Sequence, residues 1–200
     1  MHRTPMKTLL LTGGIGSGKS VVASILRERG IPVYDSDARA KALYTPWRVR
    51  RIEELLGVKV HGKGGSLDRK ALAAVVFNDP SALRKLEDYL YPSLLRDFRQ
   101  WLKVKDAPVA VFESAIALSK PQFQGLWDEV ILVTAPLELR LSRAAARDGV
   151  ALETVRKRAA VQDIPEKADY VILNDGTREE LEARVENDLL KKIDYICEIN

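Results

Sequence analysis

Five short apolar runs punctuate the chain: Leu9-Leu10-Leu11-Thr12, Ile31-Pro32-Val33-Tyr34, and the stretches 109–112, 130–133 and 170–173. They are continuous rather than alternating, the pattern expected of strands buried on both faces in a parallel sheet. Between the first two runs, Val22, Ile25 and Leu26 fall at helical spacing over residues 19–29, and Gly30 supplies a stop. The opening is therefore strand–helix–strand, which implies a parallel βαβ unit. The fold class is α/β: a five-stranded, doubly wound core interrupted by two helical excursions.

The first excursion, 38–105, reads as mostly helical. Asp68 caps a helix bearing Leu72, Val75 and Val76, and Pro80 opens another with Leu83, Leu86 and Leu90 on one side. Pro92 interrupts that pattern, and Leu94, Leu95, Phe98 and Leu102 resume it. The four glycines within 57–66 mark a loop. The second excursion, 137–167, is polar, helical and rich in arginine. After the fifth strand, Thr177 and Glu180 form a capping box ahead of an apolar stripe at Leu181, Val185, Leu189 and Ile193. The chain is expected to be a single unit over 1–200, with its core at about 6–37, 106–136 and 168–200.

Composition narrows the class. Two hundred residues suit one α/β domain with insertions, and 46% hydrophobic with 30% charged residues is an ordinary globular balance. A net charge of +4 suits anionic ligands, but no dense basic block interleaved with aromatics points to nucleic acid. No apolar run approaches the roughly 18–20 residues that span a bilayer. The apolar stretch near the start, Leu9 to Leu11, is too short for a secretory signal, so a cytoplasmic location is expected. The single Cys197 admits no internal disulfide and has no local histidine to activate it. His2 and His61 lack partners at metal-ligand spacing. Trp47, Trp101 and Trp127 read as packing residues.

The chemistry begins at Gly13-Gly14-Ile15-Gly16-Ser17-Gly18-Lys19-Ser20, a G-x-x-x-x-G-K-[ST] motif placed after a strand and before a helix. Glycines let successive N–H groups turn inward onto a phosphate, and the helix N-terminus adds its positive end. Lys19 supplies a cation for the β- and γ-phosphates of ATP, and the Ser20 hydroxyl is the candidate Mg²⁺ ligand. Asp35-Ser36-Asp37 closes the second strand, at the sheet end where ligands bind. If the chain stays extended, both carboxylates project the same way, one taking a hydroxyl proton and the other supporting it or the metal. Arg140, Arg143 and Arg147 share a helical face that can close over a transferring phosphoryl group. A nucleoside or nucleoside-monophosphate kinase could use the same parts, and so could a nucleotide-dependent switch, although the guanine-specifying Asn-Lys-x-Asp pattern is absent.

The stretch 11–20, then Gly30, then Asp35-Ser36-Asp37-Ala38, resembles the opening of dephospho-coenzyme A kinases. The similarity continues through Leu67-Asp68-Arg69, Val76-Phe77-Asn78-Asp79, Leu86-Glu87, Arg143 with Arg147-Asp148, Gln162, and the run from Ala168 to Gly176. The resemblance implies a P-loop kinase-like three-layer fold, with 38–105 gripping the acceptor and 137–167 serving as lid. It implies that MgATP phosphorylates the ribose 3′-hydroxyl of dephospho-coenzyme A, in a monomer or small homo-oligomer with no nucleic-acid or membrane partner. The implied catalytic set is Asp37 as base, supported by Asp35, with Lys19 and Arg143. The nucleotide would meet Gly14, Ile15, Gly16, Ser17, Gly18, Lys19, Ser20 and Val21, with Arg147, Asn174 and Gly176. The acceptor would meet Asp35, Asp37, Leu67, Arg69 and Glu113. Three positions depart from the family pattern: Val21 replaces a common Thr, Tyr91-Pro92 replaces a common His-Pro, and 113–119 replaces a Pro-Leu-Leu-Phe-Glu stretch.

Overall fold

A computed structural model describes residues 6–162 and 164–194. The proposals attached to His2 and Cys197 lie outside the described residues. The chain divides into two compact units, one running up to Asp35 and resuming at Lys105, the other spanning Ser36–Val104.

The first unit contains β1 (Lys7–Thr12), α1 (Lys19–Glu28), β2 (Val33–Asp35), β3 (Val109–Glu113), β4 (Glu129–Thr134) and β5 (Tyr170–Leu173). The strands form one parallel sheet in the order β2-β3-β1-β4-β5. Thus the α/β class and five-stranded parallel sheet read from the apolar runs are present. Leu9, Leu11, Val111, Ile131 and Val133 put one face of the sheet into a core with Val22, Ile25 and Leu26 of α1. The opposite face stacks Tyr34 on Phe112, with Phe123 tilted against Phe112. The register sets Glu113 level with Leu11 of β1 and with Asp35 of β2. The last residues of β2 and β3 therefore lie level with the carboxyl end of β1.

After β4, α6 (Leu137–Asp148) ends at Gly149, whose φ of 63° is the left-handed C-terminal stop, and α7 (Leu152–Ala160) follows. Leu141, Ala144 and Val155 pack the two helices together and receive Ile15 of the glycine-rich loop. The closing α8 (Arg178–Arg184) begins at Thr177 with both halves of the capping box formed. It continues through a π-turn over Val185–Leu190. That turn accommodates the stripe Leu181, Val185, Leu189 and Ile193, all buried. A strict four-residue repeat drifts about 40° per step around a 3.6-residue helix, and the wider π-turn takes the drift back.

The second unit is helical: α2 (Ser36–Ala42), α3 (Pro46–Leu56), α4 (Arg69–Asn78) and α5 (Pro80–Lys103). Its core joins Val49, Ile52, Val60, Leu72, Leu86 and Leu90. Asp68 caps α4 as expected, accepting from the Lys70 and Ala71 N–H groups. Three expectations are corrected. Pro92 does not end a helix, because α5 runs through it for 24 residues. Proline removes one intrahelical bond, and the buried ridge Leu86, Leu90, Leu94 and Phe98 outweighs that loss. The chain does not stay extended through Asp35-Ser36-Asp37 either: helix begins at Ser36, leaving Asp37 in the first turn of α2. There a carboxylate complements the positive end of the helix. Trp47 is not a packing residue, being 69% exposed on α3.

Candidate active site

The glycine-rich loop is built by contacts that leave no room for side chains. Gly16 has φ +74°, and a β-carbon there would run into the backbone carbonyl of Arg140. Gly18 has φ +93°, and its face is filled by the side-chain amide of Asn174. That amide donates to the Ser17 carbonyl at 2.8 Å, while the Asn174 N–H donates to the Thr134 carbonyl at 2.7 Å. The loop is thus clamped between the end of β5 and the start of α6. No side chain caps α1 behind Gly18, so its first N–H groups remain for an anion.

At the other end of the motif, Lys19 Nζ donates to Glu113 Oε1 at 2.9 Å, and Ser20 Oγ lies 3.4 Å from the same oxygen. Arg27 Nη2 reaches the second oxygen at 3.3 Å. Glu113 is 4% exposed, so its charge is carried by this cluster rather than by water. Sequence reasoning placed Glu113 with the acceptor; its contacts are with the lysine and serine of the phosphate loop. Two hard oxygen donors within 3.4 Å of each other suit Mg²⁺ better than a softer metal.

An arginine of α6 ties down the loop after β5. Arg143 Nη1 and Nη2 donate to the carbonyls of Asn174, at 2.7 Å, and Gly176, at 3.1 Å. These two bonds brace the loop after β5. Arg147 is engaged by Asp148 at 2.8 Å, and the bond holds the Asp148 carboxyl below the usual range. Val21 is a partly buried residue packed on the sheet core. Two further groups meet the loop. Gln162 Oε1 accepts from the Ile15 N–H at 2.7 Å, and only its place in the family resemblance marked it. Arg140 lies against Gly14 and Gly16, and its place in the arginine run was the only signal.

The second unit gathers its own polar cluster. The Tyr91 hydroxyl donates to Glu87 at 3.1 Å. Burial first, then Glu87, Tyr44 and Asp37, push its phenol far above the usual tyrosine range, so it stays a donor. Burial likewise raises Tyr44, and Arg69 counteracts the effect. Asp37 and Arg69, both expected at the acceptor, therefore act on the same pair of tyrosines. Leu67 differs: it pairs with His61 in an isolated bridge and packs on the unit's core. Tyr91 and Glu87 lie four apart on α5, and the family resemblance had marked both, Glu87 as a match and Tyr91 as a departure. Among the described residues no group of three or more His, Cys, Asp or Glu side chains is set to hold a metal.

A parallel five-stranded sheet with a complete phosphate loop and an acid at the neighbouring strand end defines a P-loop kinase. The Bacteroides thetaiotaomicron shikimate kinase shares the fold, with a TM-score of 0.50 at 15% identity over 94% of this chain and 98% of that one. The dephospho-CoA kinase family model matches residues 8–180. A Porphyromonas gingivalis dephospho-CoA kinase is 41% identical over 176 residues, covering 84% of this chain and 86% of the relative. One from Thermus thermophilus is 39% identical, covering 86% of this chain and 85% of the relative. The crystal structure of TT1252 from Thermus thermophilus superposes with a TM-score of 0.81 at 35% identity, over 94% of this chain and 98% of that one. The chain belongs to the dephospho-CoA kinase family. It is a kinase, with ATP as phosphoryl donor.

Proposed function

We propose that the chain carries out the last step of coenzyme A biosynthesis, ATP-dependent phosphorylation of the ribose 3′-hydroxyl of dephospho-coenzyme A, with Asp37 as the base. The observation that carries the reading is the Lys19–Ser20–Glu113 cluster at the mouth of an uncapped helix, a site for a polyphosphate tail and its metal. The 3′-oxygen attacks the γ-phosphorus as its proton passes to Asp37, and the bond from phosphorus to the β–γ bridging oxygen breaks. ADP leaves with that electron pair, and coenzyme A keeps the phosphoryl group. Little covalent chemistry falls to the protein, so alignment and charge neutralisation dominate.

Asp35 ends β2 level with Glu113 and supports the base two residues on. Asn174 and Gly176 form the nucleotide loop that Arg143 braces. Arg69 and Asp37, with Tyr44 and Tyr91, form the acceptor side. Ser20 and Glu113 would hold Mg²⁺, which neutralises phosphate charge when bound. Among the described residues no helix is long and apolar enough to cross a membrane. We place the enzyme in the cytoplasm, as a monomer or small homo-oligomer.

The test is direct. Protein, MgATP and dephospho-coenzyme A are mixed and the products weighed by mass spectrometry. Coenzyme A and ADP in equal amounts support the reading. ADP without acceptor dependence, or a product formed only from nucleosides in an acceptor panel, overturns it.

A further inference from the structure

We propose that Arg140, rather than Arg143 or Arg147, is the α6 side chain that grips the transferring phosphoryl group. Three observations on the same helix separate these arginines. Arg143 has both terminal nitrogens on loop carbonyls. Arg147 is paired with Asp148. Arg140 lies on the phosphate loop itself: one of its terminal nitrogens occupies the space a Gly14 side chain would need, and its backbone carbonyl abuts Gly16. Its Nε is buried and has no hydrogen-bond partner among the described residues.

A guanidinium is always charged and carries five donors in a fixed fork that matches phosphate oxygens. Burying part of such a group without an anion costs free energy, and partial burial lowers the basicity of Arg140. The cation beside it in the loop is already matched, since Lys19 has Glu113. Among the described residues Arg140 is thus the loop's unmatched charge, and the anion that fits is a polyphosphate held by the loop. During transfer the fork donates to oxygens whose charge grows as the phosphorus–oxygen bond breaks. It forms no covalent bond and moves no proton. Gly14 is explained by the same contact, since any side chain there would displace the guanidinium.

The inference rests on the proposed kinase reaction, so its test has one arm that needs no acceptor. Calorimetry measures binding of inorganic tripolyphosphate and of ATP to the wild type, Arg140→Gln, Arg140→Lys and Arg143→Gln, with thermal melting as the folding control. Arg140→Gln should lose about tenfold in tripolyphosphate affinity and about a hundredfold in kcat. Arg140→Lys should recover the affinity to within about threefold yet leave kcat at least tenfold down, because a point charge lacks the fork. Arg143→Gln should weaken ATP but leave tripolyphosphate unchanged. Wild-type tripolyphosphate affinity and kcat in Arg140→Gln overturn the assignment. If that variant does not fold, wild-type kcat in Arg140→Lys overturns it instead. A wild-type protein that binds tripolyphosphate but never phosphorylates dephospho-coenzyme A would sink the reaction and leave the anion site standing.

Discussion

Lys19 and Glu113 form an ion pair at 2.9 Å across a sequence separation of 94, with the carboxylate almost wholly buried. The lysine that must hold phosphate is therefore held by an internal anion in the ligand-free protein. On the proposed function, ATP would compete with Glu113 for it and leave Glu113 to Ser20 and Arg27. The carboxylate would then be a counter-ion before binding and a metal-side oxygen afterwards.

Glu113→Gln separates the two roles. Without its anion Lys19 is a nearly buried, unmatched cation, which costs on the order of 3 kcal/mol of ligand-free stability. Metal-free ATP should then bind several-fold more tightly, since no carboxylate competes for the ammonium, while kcat with Mg²⁺ falls at least tenfold. Calorimetry without metal, beside steady-state rates across a Mg²⁺ series, reads both. Weaker metal-free binding would contradict the competition.

Asp37→Asn keeps the shape and hydrogen-bonding reach of the base but cannot accept the proton. Transfer to dephospho-coenzyme A should fall by about a thousandfold or more, with ATP affinity changed less than about threefold. Turnover equal to wild type would remove Asp37 from the mechanism. Retained turnover in a parallel Asp35→Asn variant would leave Asp35 a supporting group only.

The glycines of the loop differ in what they protect. Gly16→Ala combines an unfavourable positive φ with a collision against the Arg140 carbonyl, so α6 must move away from the loop. ATP affinity should drop more than tenfold. Gly149 has φ +63° and open space around it, so Gly149→Ala should lose only about 1 kcal/mol of stability and keep ATP affinity. Equal loss of ATP affinity in both would mean that general destabilisation, rather than the clamp, is responsible.

Much of this arrangement was readable before any coordinates. The glycine-rich motif and the apolar runs around it locate the sheet and the phosphate loop, because both are written in contiguous residues. The helix caps at Asp68 and Thr177 are equally local. What escaped depends on residues far apart in sequence. Glu113 ends a strand, and only the register of β3 beside β1 brings it to Lys19. Gln162 reaches Ile15 from 147 positions away. Arg143 and Arg140 are neighbours on a helical wheel, and their different contacts come from where α6 crosses the loop. Pro92 misled because its local effect is real, while the packing that overrides it is tertiary.

Alkaline titration should find Tyr170 among the reluctant tyrosines. The Tyr170 hydroxyl donates to Glu129 at 2.6 Å, and burial together with that carboxylate pushes its phenol up to about 12 from an ordinary 10. Its folded form thus binds the proton more tightly than the unfolded chain does. The stabilisation is complete below pH 10 and is lost as pH rises from 10 through about 12. In a phenolate absorbance titration, Tyr170→Phe should remove one tyrosine from the late-ionising group and flatten the fall in melting temperature over that interval. A titration curve that loses an early tyrosine instead would show the phenol unperturbed.

The segment from α6 to Gln162 is fastened to the phosphate loop at two points of a single residue. The Ile15 N–H donates to Gln162 at 2.7 Å, and the Ile15 side chain packs on Leu141, Ala144 and Val155 of α6 and α7. Movement of this segment must therefore pull on the loop, and order in the loop must steady the two helices. Gln162→Leu removes the acceptor while preserving bulk, at a cost of about 1 kcal/mol for the orphaned amide. Amide exchange at Ile15 should quicken by about five- to tenfold, and ATP affinity should fall by a similar factor because the loop is less ordered before binding. Gln162→Glu keeps the acceptor, so exchange at Ile15 should stay slow, while the added negative charge near the phosphates still weakens ATP. Slow exchange at Ile15 in Gln162→Leu would show that packing alone holds the loop and that the hydrogen bond does not couple it to this segment.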